Sequence, residues 1–585
     1  MRLQPHDQGN TLAGFSRNLM DRIDNGHEDL MPQSTIKGKT GAEAQRRDIL
    51  DRRAEALRFD GCTSSDDIQE QKPQASRQKP GARSSEKLLA ISLFLIVSLP
   101  LSFPLHAHVG SPDVFYEGAA GPYRVYVTVR VPQVIPGVAE IEVRSASNDV
   151  QAVRIVPMRL SGPGSNLPPI ADLAQRSKQD PQFFTGSLWL MEFGALQVRI
   201  EVDGDKGKAN LSVPVPAFAR QSLPMDNFLK GLLGFLMFFL SLGMVLIAGA
   251  VVRESNVPPG EKPRPARMRW SKVVMAITAV VMLAVLWMGR SWWGAEASQY
   301  QRGINYYKPP LAETSLEGND GGRRLIISAR GQDKQWSEDV KMAEAIPDHG
   351  HLMHLFLIGM PGMDRMWHLH PERIEGGRFA IDLPEMPAGR YQLFADVVDK
   401  NGFPWTLTGN LDLPRNDLPK ISGNAPQADD SAWQGGPMAT QSERKTMAQL
   451  PDGTRIVWHT GAQPLKSGDP TSFKFTAEDR DGTPLRDLVP YMGMAAHAEV
   501  VSSDFSVFAH IHPAGSVSMA ALDLAQTGLP APSGAMSPSM HMPAETIGPD
   551  FSFPYGFPHP GRYRIFVQIK RAGKVQTAVF DVDVS

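Results

Sequence analysis

HLFLIGMPGMDRMWHLHP at residues 354–371 and HAEVVSSDFSVFAHIHP at residues 497–513 are two versions of one pattern. Each begins with His, continues for 13 or 12 residues, and ends in His-x-His-Pro. Further along, Gly-Arg-Tyr opens an apolar stretch at residues 389–391 and again at residues 561–563. An internal repeat of this kind indicates a duplicated structural unit. The C-terminal part of the chain is therefore predicted to hold two related β-rich domains.

Each copy of the pattern predicts a β-hairpin, because apolar flanks lie on either side of a turn-forming segment. The turn is expected near Gly359 to Asp364 in the first copy and at Ser503 and Asp504 in the second. In an antiparallel pair the sum of paired positions is constant, and residues i and i+2 of a strand share a face. These rules bring three imidazoles together in each copy. They set His354 opposite His370, beside His368, and His497 opposite His512, beside His510.

Clustered imidazoles indicate a metal site, since imidazole suits copper and zinc and thioether sulfur favours Cu(I). Methionines near the histidines, with Met353 and Met494 as the candidate ligands, favour copper, and zinc is the alternative. A structural interpretation competes with this one: the histidines cap the edge of a sandwich and hydrogen-bond the backbone. Duplication copies structural residues as faithfully as ligands, so the repeat by itself does not choose between the two.

Two further groups of residues bear on the metal hypothesis. His349 and His351 precede the first copy and are interpreted as solvated loop residues, with an extension of the first histidine cluster as the alternative. A long insertion after Pro513 is either a copper-binding loop or a flexible low-complexity loop with incidental methionines. It contains GAMSPSMHMP, with Met536, Met540, His541 and Met542.

Short alternating strands separated by Pro and Gly recur over residues 108–217, 318–414 and 451–585. This spacing is typical of β-sandwiches. Residues 415–450 are polar with Gly, Pro and Ser, and are interpreted as a linker. The predicted fold class is mainly β, with three immunoglobulin-like β-sandwich domains and a two-helix transmembrane hairpin between the first and the second.

Two apolar runs after the first of these domains, residues 231–252 and 273–293, predict membrane-spanning helices. The loop between them, residues 253–272, carries six Lys or Arg, which places it in the cytoplasm by the positive-inside rule. All three sandwich domains then lie outside. We expect the inner (cytoplasmic) membrane, with the bulk of the chain on the periplasmic side. A hairpin buried in a protein core is the alternative.

Residues 88–107 have the short apolar run and the small residue at the cleavage position that are typical of a secretory signal. Residues 1–87 mix charges of both signs with only two aromatic residues, and are interpreted as a disordered leader or a gene-model extension. The alternative is a cytoplasmic tail on an uncleaved anchor. Cleavage after Ala107 would make His108 the mature N-terminus, whose amine and imidazole could chelate copper as a histidine brace.

Composition argues against several classes of function. The chain has 60 basic and 62 acidic residues and a net charge of −2, so no overall field attracts nucleic acid. Cys62, the single cysteine, precedes the signal-type segment, so disulfides, thiolate zinc sites and blue-copper sites are excluded from the exported part. The sequence shows no G-x-S-x-G, Walker A or H-E-x-x-H signature. No catalytic residue is predicted.

The His-x-His-Pro frame with its Gly-Arg-Tyr strand resembles YtkA-like domains, which are small exported β-sandwich modules often found beside copper-handling and heavy-metal efflux proteins. The resemblance covers residues 320–585. The exported start HVGSPDVFYEG, residues 108–118, is distantly similar to CopC-like copper carriers. These resemblances imply metal binding, or metal-dependent contact with a partner, rather than catalysis.

Together these patterns predict a membrane-anchored envelope protein that handles or delivers copper through His and Met sites. Metal-efflux or copper-handling proteins are the expected partners, and an enzymatic activity is not expected. One alternative is a non-metal interaction scaffold that assembles with an envelope transporter or enzyme. The other is a copper oxidase that uses the His108 brace.

Overall fold

The structure, a computed structural model, describes residues 111–585 apart from 320–321, 332–341, 343, 416–428, 439–444, 462 and 528–546. The predicted leader, the signal-type segment, His108 and the Met-rich part of the insertion lie outside the described residues. The described chain is mainly β, with several sheets and two long apolar helices. The predicted fold class is confirmed in these terms.

The first outer domain is a sandwich of two antiparallel sheets. Its strands are β1 (Val114–Ala120), β2 (Tyr123–Arg130), β3 (Gly137–Ser145), β4 (Val150–Arg159), β5 (Asp172–Leu173), β6 (Gln175–Arg176), β7 (Phe183–Leu190), β8 (Gly194–Gly204) and β9 (Gly207–Ala217). One sheet has the order β1-β2-β3-β7-β6 and the other the order β5-β4-β8-β9. In β2 the buried residues Val125, Val127 and Val129 recur at every second position, as expected for a strand with one face on a core.

Two helices follow, α1 (Asn227–Glu254) and α2 (Pro265–Tyr306). The Asp226 side chain caps α1 by accepting hydrogen bonds from backbone N–H groups of its first turn. The helices lie side by side, and the Ser271 hydroxyl donates to the Gly249 carbonyl at 2.7 Å. By length and composition both helices could cross a membrane. The predicted spans lie inside them, but α2 begins within the predicted loop, which shortens the connection to residues 255–264.

The second outer domain is built on one sheet. Its strands are β10 (Leu311–Asn319), β11 (Gly322–Arg330), β12 (Ala345–Ile346), β13 (His354–Gly359), β14 (Arg365–Leu369), β15 (Glu372–Arg373), β16 (Phe379–Asp382), β17 (Gly389–Asp399), β18 (Pro404–Leu413) and β19 (Ser431–Gln434). Their order in the sheet is β15-β16-β11-β10-β18-β17-β13-β14-β19, with β12 paired to β17. The last strand, β19, pairs with β14 and comes from residues 415–450, so this predicted linker contributes a strand to the domain.

The third outer domain, like the first, has two sheets. Its elements are β20 (Met447–Gln449), β21 (Arg455–His459), β22 (Thr471–Glu478), β23 (Leu488–Val489), β24 (His497–Ser502), β25 (Phe508–Ile511), α3 (Met519–Thr527), β26 (Asp550–Tyr555), β27 (Gly561–Arg571) and β28 (Lys574–Val584). The sheets have the orders β20-β21-β22-β26 and β23-β27-β24-β25, with β28 paired to β27. Phe475, Phe553 and Phe580 lie in the core between them.

The two repeated hairpins pack against each other across the boundary between the second and third domains. Both faces of β13 and of β24 are buried. Leu355 and Leu357 of β13 belong to the core of their own domain, whereas the alternate residues Phe356 and Ile358 belong to a cluster shared with the third domain. This interdomain apolar cluster consists of Phe356, Ile358, Met363, Met366, Phe394, Val501, Phe505, Phe508 and Phe566.

Candidate metal centre

Both predicted hairpins are present, and in the predicted registers. Leu355 pairs with Leu369 between β13 and β14, and Ala498 pairs with Ile511 between β24 and β25. Because the sum of paired positions is constant along an antiparallel pair, the predicted registers are confirmed. At the strand ends these registers set His354 opposite His370 and His497 opposite His512.

The three histidines of the first hairpin form a compact group, the first triad: His354, His368 and His370. One ring nitrogen of each lies within 4.8 Å of those of the other two. The Nδ1 atom of His354 is 3.2 Å from the Nε2 atom of His368. All three residues are buried, with exposures of 0 to 2%. The structure therefore brings together the residues that the first copy of the pattern predicts.

The rings of the first triad are oriented through their other nitrogens. A neutral imidazole carries a single N–H, and the bond made by that N–H identifies the nitrogen that keeps the lone pair. Each ring donates from one nitrogen to an oxygen at 3.0 Å: His354 to the backbone carbonyl of Asp348, His368 to the side-chain amide oxygen of Gln568, and His370 to the carboxylate of Asp430. The other nitrogens, which converge on one another, are therefore the lone-pair nitrogens of the three rings.

The spacing of the first triad fits a metal ion. Nitrogen ligands at about 2.0–2.1 Å from a tetrahedral ion stand about 3.3 Å apart, close to the distance between His354 Nδ1 and His368 Nε2. Two lone pairs cannot form a hydrogen bond with each other, and a cation between them removes their repulsion. The Nε2 atom of His370 is buried without a hydrogen-bond partner in the described chain, which is rare for a polar atom.

The second group differs from the predicted one. His497 and His512 are joined by His349 of the second domain, and these three form the second triad. The Nε2 atoms of His349 and His512 are 3.1 Å apart, and Nδ1 of His512 donates to the carbonyl of Val517 at 3.1 Å. Both ring nitrogens of His497 are buried without a partner in the described chain. The prediction of a solvated His349 is wrong, because its ring is packed against those of His497 and His512.

His510, the third predicted member of the second group, belongs to neither triad. Its Nδ1 atom lies 3.5 Å from Oδ2 of Asp396, and its Nε2 atom is buried without a hydrogen-bond partner among the described residues. His351 stacks on His370, with ring centroids 3.9 Å apart. Together the two triads and these two residues make one histidine centre of His349, His351, His354, His368, His370, His497, His510 and His512.

Burial keeps the imidazoles of the two triads and of His510 neutral at pH 7, as metal ligation requires. Desolvation lowers the pKa of His349 to about 4, and it lowers the pKa of His368 and of His512 to about 3. Burial, followed by the charges of neighbouring imidazoles, also holds the pKa well below the usual value for His354, His370, His497 and His510.

Two buried acidic residues beside the histidine centre, Glu499 and Asp396, were not predicted from the sequence. Glu499 is completely buried, and neither of its carboxylate oxygens has a hydrogen-bond partner in the described chain. Burial raises the pKa of Glu499 well above its usual range and raises the pKa of Asp396 to about 7. The sequence could have predicted the position of Glu499, because residues i and i+2 of a strand share a face and Glu499 lies two residues after His497. Asp396 pairs with His354 across the sheet.

The two predicted methionine ligands lie in apolar cores. Met353 is fully buried in the core of the second domain, and Met494 belongs to the core cluster that is formed mainly by the first domain. Apolar packing accounts for both thioethers. The histidines, and not these two methionines, therefore remain as the candidate ligands.

A cavity of about 160 Å³ adjoins the histidine centre. Its lining includes His510, His512 and Asp396, and also Ser111, which is the first described residue of the chain. A single water needs on the order of 10–15 Å³ of such space. The cavity therefore has room for a metal ion with several waters.

Comparison with known proteins identifies one family model. It is described as a domain of unknown function, DUF8832, and it matches residues 448–585, which make up the third outer domain. No curated protein matches the chain. Because the family model matches about a quarter of the chain, it does not assign the whole protein to a family.

Several solved structures have a low similarity to the chain. An engineered protein is 15% identical, with 17% of this chain and 21% of that chain covered and a TM-score of 0.14. Dimeric latent PorU from Porphyromonas gingivalis is 9% identical (81% and 34% covered, TM-score 0.12). The native conformation of E. coli alpha-2-macroglobulin is 10% identical (83% and 23% covered, TM-score 0.18). The chain thus spans between 21% and 34% of these proteins, and at such TM-scores the likeness carries no argument.

Proposed function

We propose that this chain is a membrane-anchored metal-binding protein that handles copper through the histidine centre between its second and third outer domains. The observation that carries the proposal is the approach of two lone-pair nitrogens, His354 Nδ1 and His368 Nε2, to 3.2 Å inside a fully buried site. A metal ion between the two nitrogens accounts for this approach while both rings keep their hydrogen bonds to Asp348 and Gln568.

Copper is proposed ahead of zinc on the basis of the ligands. Imidazole suits both ions, but copper(II) binds a given nitrogen site most tightly among the divalent first-row metals. The resemblance of residues 320–585 to YtkA-like domains supports the same choice. Metal-efflux or copper-handling proteins of the envelope are the proposed partners.

The burial of the histidine centre affects how fast copper is bound and released. Ligands enclosed between two packed domains exchange an ion only through the cavity or by separation of the domains. We therefore expect copper to be held for long periods and delivered slowly. This differs from a carrier with exposed ligands, which exchanges its ion rapidly.

The proposed location is the periplasmic face of the inner membrane. Helices α1 and α2 have the length and composition of membrane spans, and the basic residues around their connection favour a cytoplasmic position for it. Protease added outside intact spheroplasts should then digest the three outer domains. Digestion that requires lysis would contradict the proposed orientation.

The metal content of the full-length protein in detergent tests the proposed function. After loading with copper and desalting, about two ions should remain per chain, one for each triad. The double variant His354→Ala/His370→Ala should lose one ion and His497→Ala/His512→Ala the other. His559→Ala is the control, because this histidine is exposed and lies outside the centre.

Two outcomes would contradict the proposal. Full copper content in both double variants would show that the ions bind elsewhere. A folded wild-type protein that retains neither copper nor zinc would make the histidines a structural element of the domain boundary. The interaction scaffold would then be the better account of the chain.

A second candidate function, a copper-dependent oxidase, is favoured by the position of Ser111. This residue lines the cavity beside His510 and His512. His108 precedes it by three residues, which span about 10 Å at most. A mature chain that begins at His108 would then have its amine and imidazole within reach of the cavity. N-terminal sequencing of the exported protein tests this candidate, and any other mature start removes it.

A further inference from the structure

The cavity beside the histidine centre has a lining that suits a cation. Among the described residues that line it are two carboxylates, Asp348 and Asp396, and no Lys or Arg. The hydroxyls of Thr406, Ser516 and Ser518 add further oxygens. Ionised carboxylates in a cleft attract cations, and a carboxyl that is protonated releases its proton when a metal ion binds it.

One imidazole of the centre lines this cavity without belonging to either triad. The His510 side chain is 4% exposed, and its Nε2 atom has no hydrogen-bond partner in the described chain. Its Nδ1 atom is 3.5 Å from Oδ2 of Asp396. The Thr406 hydroxyl donates to Oδ1 of the same carboxylate, which fixes the orientation of Asp396 toward His510.

His510 is also close to both triads. Its ring centroid lies 4.5 Å from that of His512 in the second triad and 5.3 Å from that of His354 in the first. An ion bound by His510 can therefore exchange one imidazole for another, and it never has to give up all its protein ligands at once. Among the described histidines outside the two triads, His510 is the one that lines the cavity.

We infer that Asp396 and His510 form a loading site, through which a divalent copper ion passes from the cavity into the two triads. The inference rests on the proposed function, because it names the route to the same centre. The incoming ion exchanges one water for an oxygen of Asp396 and another for Nε2 of His510. It then binds His512 and the remaining ligands of a triad.

Loading kinetics test the inference separately from metal binding itself. Metal-free full-length protein is mixed with copper(II), samples are quenched with a chelator at intervals, and bound copper is measured. Asp396→Asn and His510→Gln should reach the wild-type copper content, but about tenfold more slowly or worse. Glu478→Gln is the control, because it neutralises a partly buried acid that is ion-paired with Arg455 and lies outside both the cavity and the histidine centre. It should load at the wild-type rate.

Each result has a distinct meaning. Wild-type loading rates in both cavity variants would overturn the loading site and leave the proposed function intact. A lower final copper content in His510→Gln would also overturn it, since His510 would then be a permanent ligand. If the wild-type protein takes up no copper, the proposed function fails as well. Circular dichroism of each metal-free variant checks that slow loading does not come from misfolding.

Discussion

The second and third outer domains contain the same hairpin but differ in how their triads are completed. The first triad is supplied by one segment of the second domain, residues 354–370. The second triad has only two histidines from its own hairpin, His497 and His512, and takes its third from the second domain. A duplicated hairpin therefore supplies local geometry, while the domain boundary decides the number of ligands.

The difference originates in the turn before each hairpin. The segments Asp348–His351 and Tyr491–Met494 are the same turn, because each is closed by a β-bridge between its end residues. In each, the second residue has a positive φ, 53° for His349 and 48° for Met492, and the third is Gly. His-Gly-His in the second domain thus corresponds to Met-Gly-Met in the third. Only the second domain has an imidazole at this position to place across the boundary.

The orienting groups cross the boundary in both directions. Gln568 of the third domain accepts a hydrogen bond from His368, and Asp396 of the second domain lies beside His510. The two residues are equivalent, since Asp396 pairs with His354 and Gln568 pairs with His497. Such reciprocal contacts are expected when two similar units face each other about an approximate two-fold axis. The carboxylate at one position and the amide at the other distinguish the two halves.

Lowering the pH should destabilise the metal-free protein and release copper from both triads alike, and this is the largest effect that we expect. Burial lowers the pKa of His368 and His512 to about 3 and that of His349 to about 4. From about pH 6.5 down to these values the unfolded chain binds more protons than the folded metal-free chain. The free energy of unfolding therefore falls as the pH falls.

The raised pKa of Asp396, about 7, and the raised pKa values of Asp348 and Glu499 act in the opposite direction over most of this window, down to the usual carboxyl pKa of about 4. Because more imidazoles than carboxyls are affected, a net loss of stability is expected. Urea unfolding of the metal-free protein at several values from about pH 8 to pH 4 measures it. Both triads should also release copper together. Constant or increasing stability toward acid pH would contradict this prediction.

Loosening the domain boundary should affect the second triad before the first. Phe508 stacks on Phe394 with ring centroids 4.3 Å apart in the interdomain apolar cluster. We expect Phe508→Ala to lower the free energy of unfolding by about 3–5 kcal/mol and to release the ion of the second triad. The first triad should keep its ion, because its ligands come from one domain.

Phe475→Ala is the control for this variant, since Phe475 is equally buried but lies in the third domain's own core. Copper content and urea unfolding are measured for both. If Phe508→Ala and Phe475→Ala lose the same amount of copper, and lose it from the two triads in the same order, the second triad does not depend on the domain boundary more than the first triad does.

Copying the third domain's turn into the second should disable the second triad alone. His349→Met reproduces the residue found at the equivalent position, Met492, and removes one of three ligands. Affinity for copper at the second triad should fall by more than about 100-fold, since even an outer partner of a ligand contributes about 10–100-fold. Competition with a chromogenic chelator measures it, with His559→Met as the control. An unchanged two-site titration would rule out His349 as a ligand.

Removing an orienting group should have the smallest effect, and it should fall on the first triad. In Gln568→Leu the His368 ring loses the acceptor that fixes its lone pair toward the triad. Copper affinity of the first triad should drop by about 10–100-fold, with the second triad unchanged. Gln576→Leu, on the neighbouring strand β28 and bonded to Asp452 at the surface, is the control. Equal affinities in the two variants would show that Gln568 has no orienting role.

Local rules account for the successful predictions. The registers of both hairpins follow from the strand period of two and from the turn length, which are read within a single copy of the pattern. The first triad lies wholly inside one copy, so its convergence was predictable. The second triad was predicted by the same rule with His510 as its third member, and there the rule failed because the third ligand comes from another domain.

The sequence by itself determined the mainly β class, the two apolar helices, the duplicated hairpins and the composition of the first triad. Each depends on residues that are near one another in the chain or related by one strand register. Only the tertiary structure decided that the hairpins face each other, that β19 comes from the predicted linker, and that His349 meets His512. These two histidines are 163 positions apart, and their contact depends on how two domains pack, which no local period records.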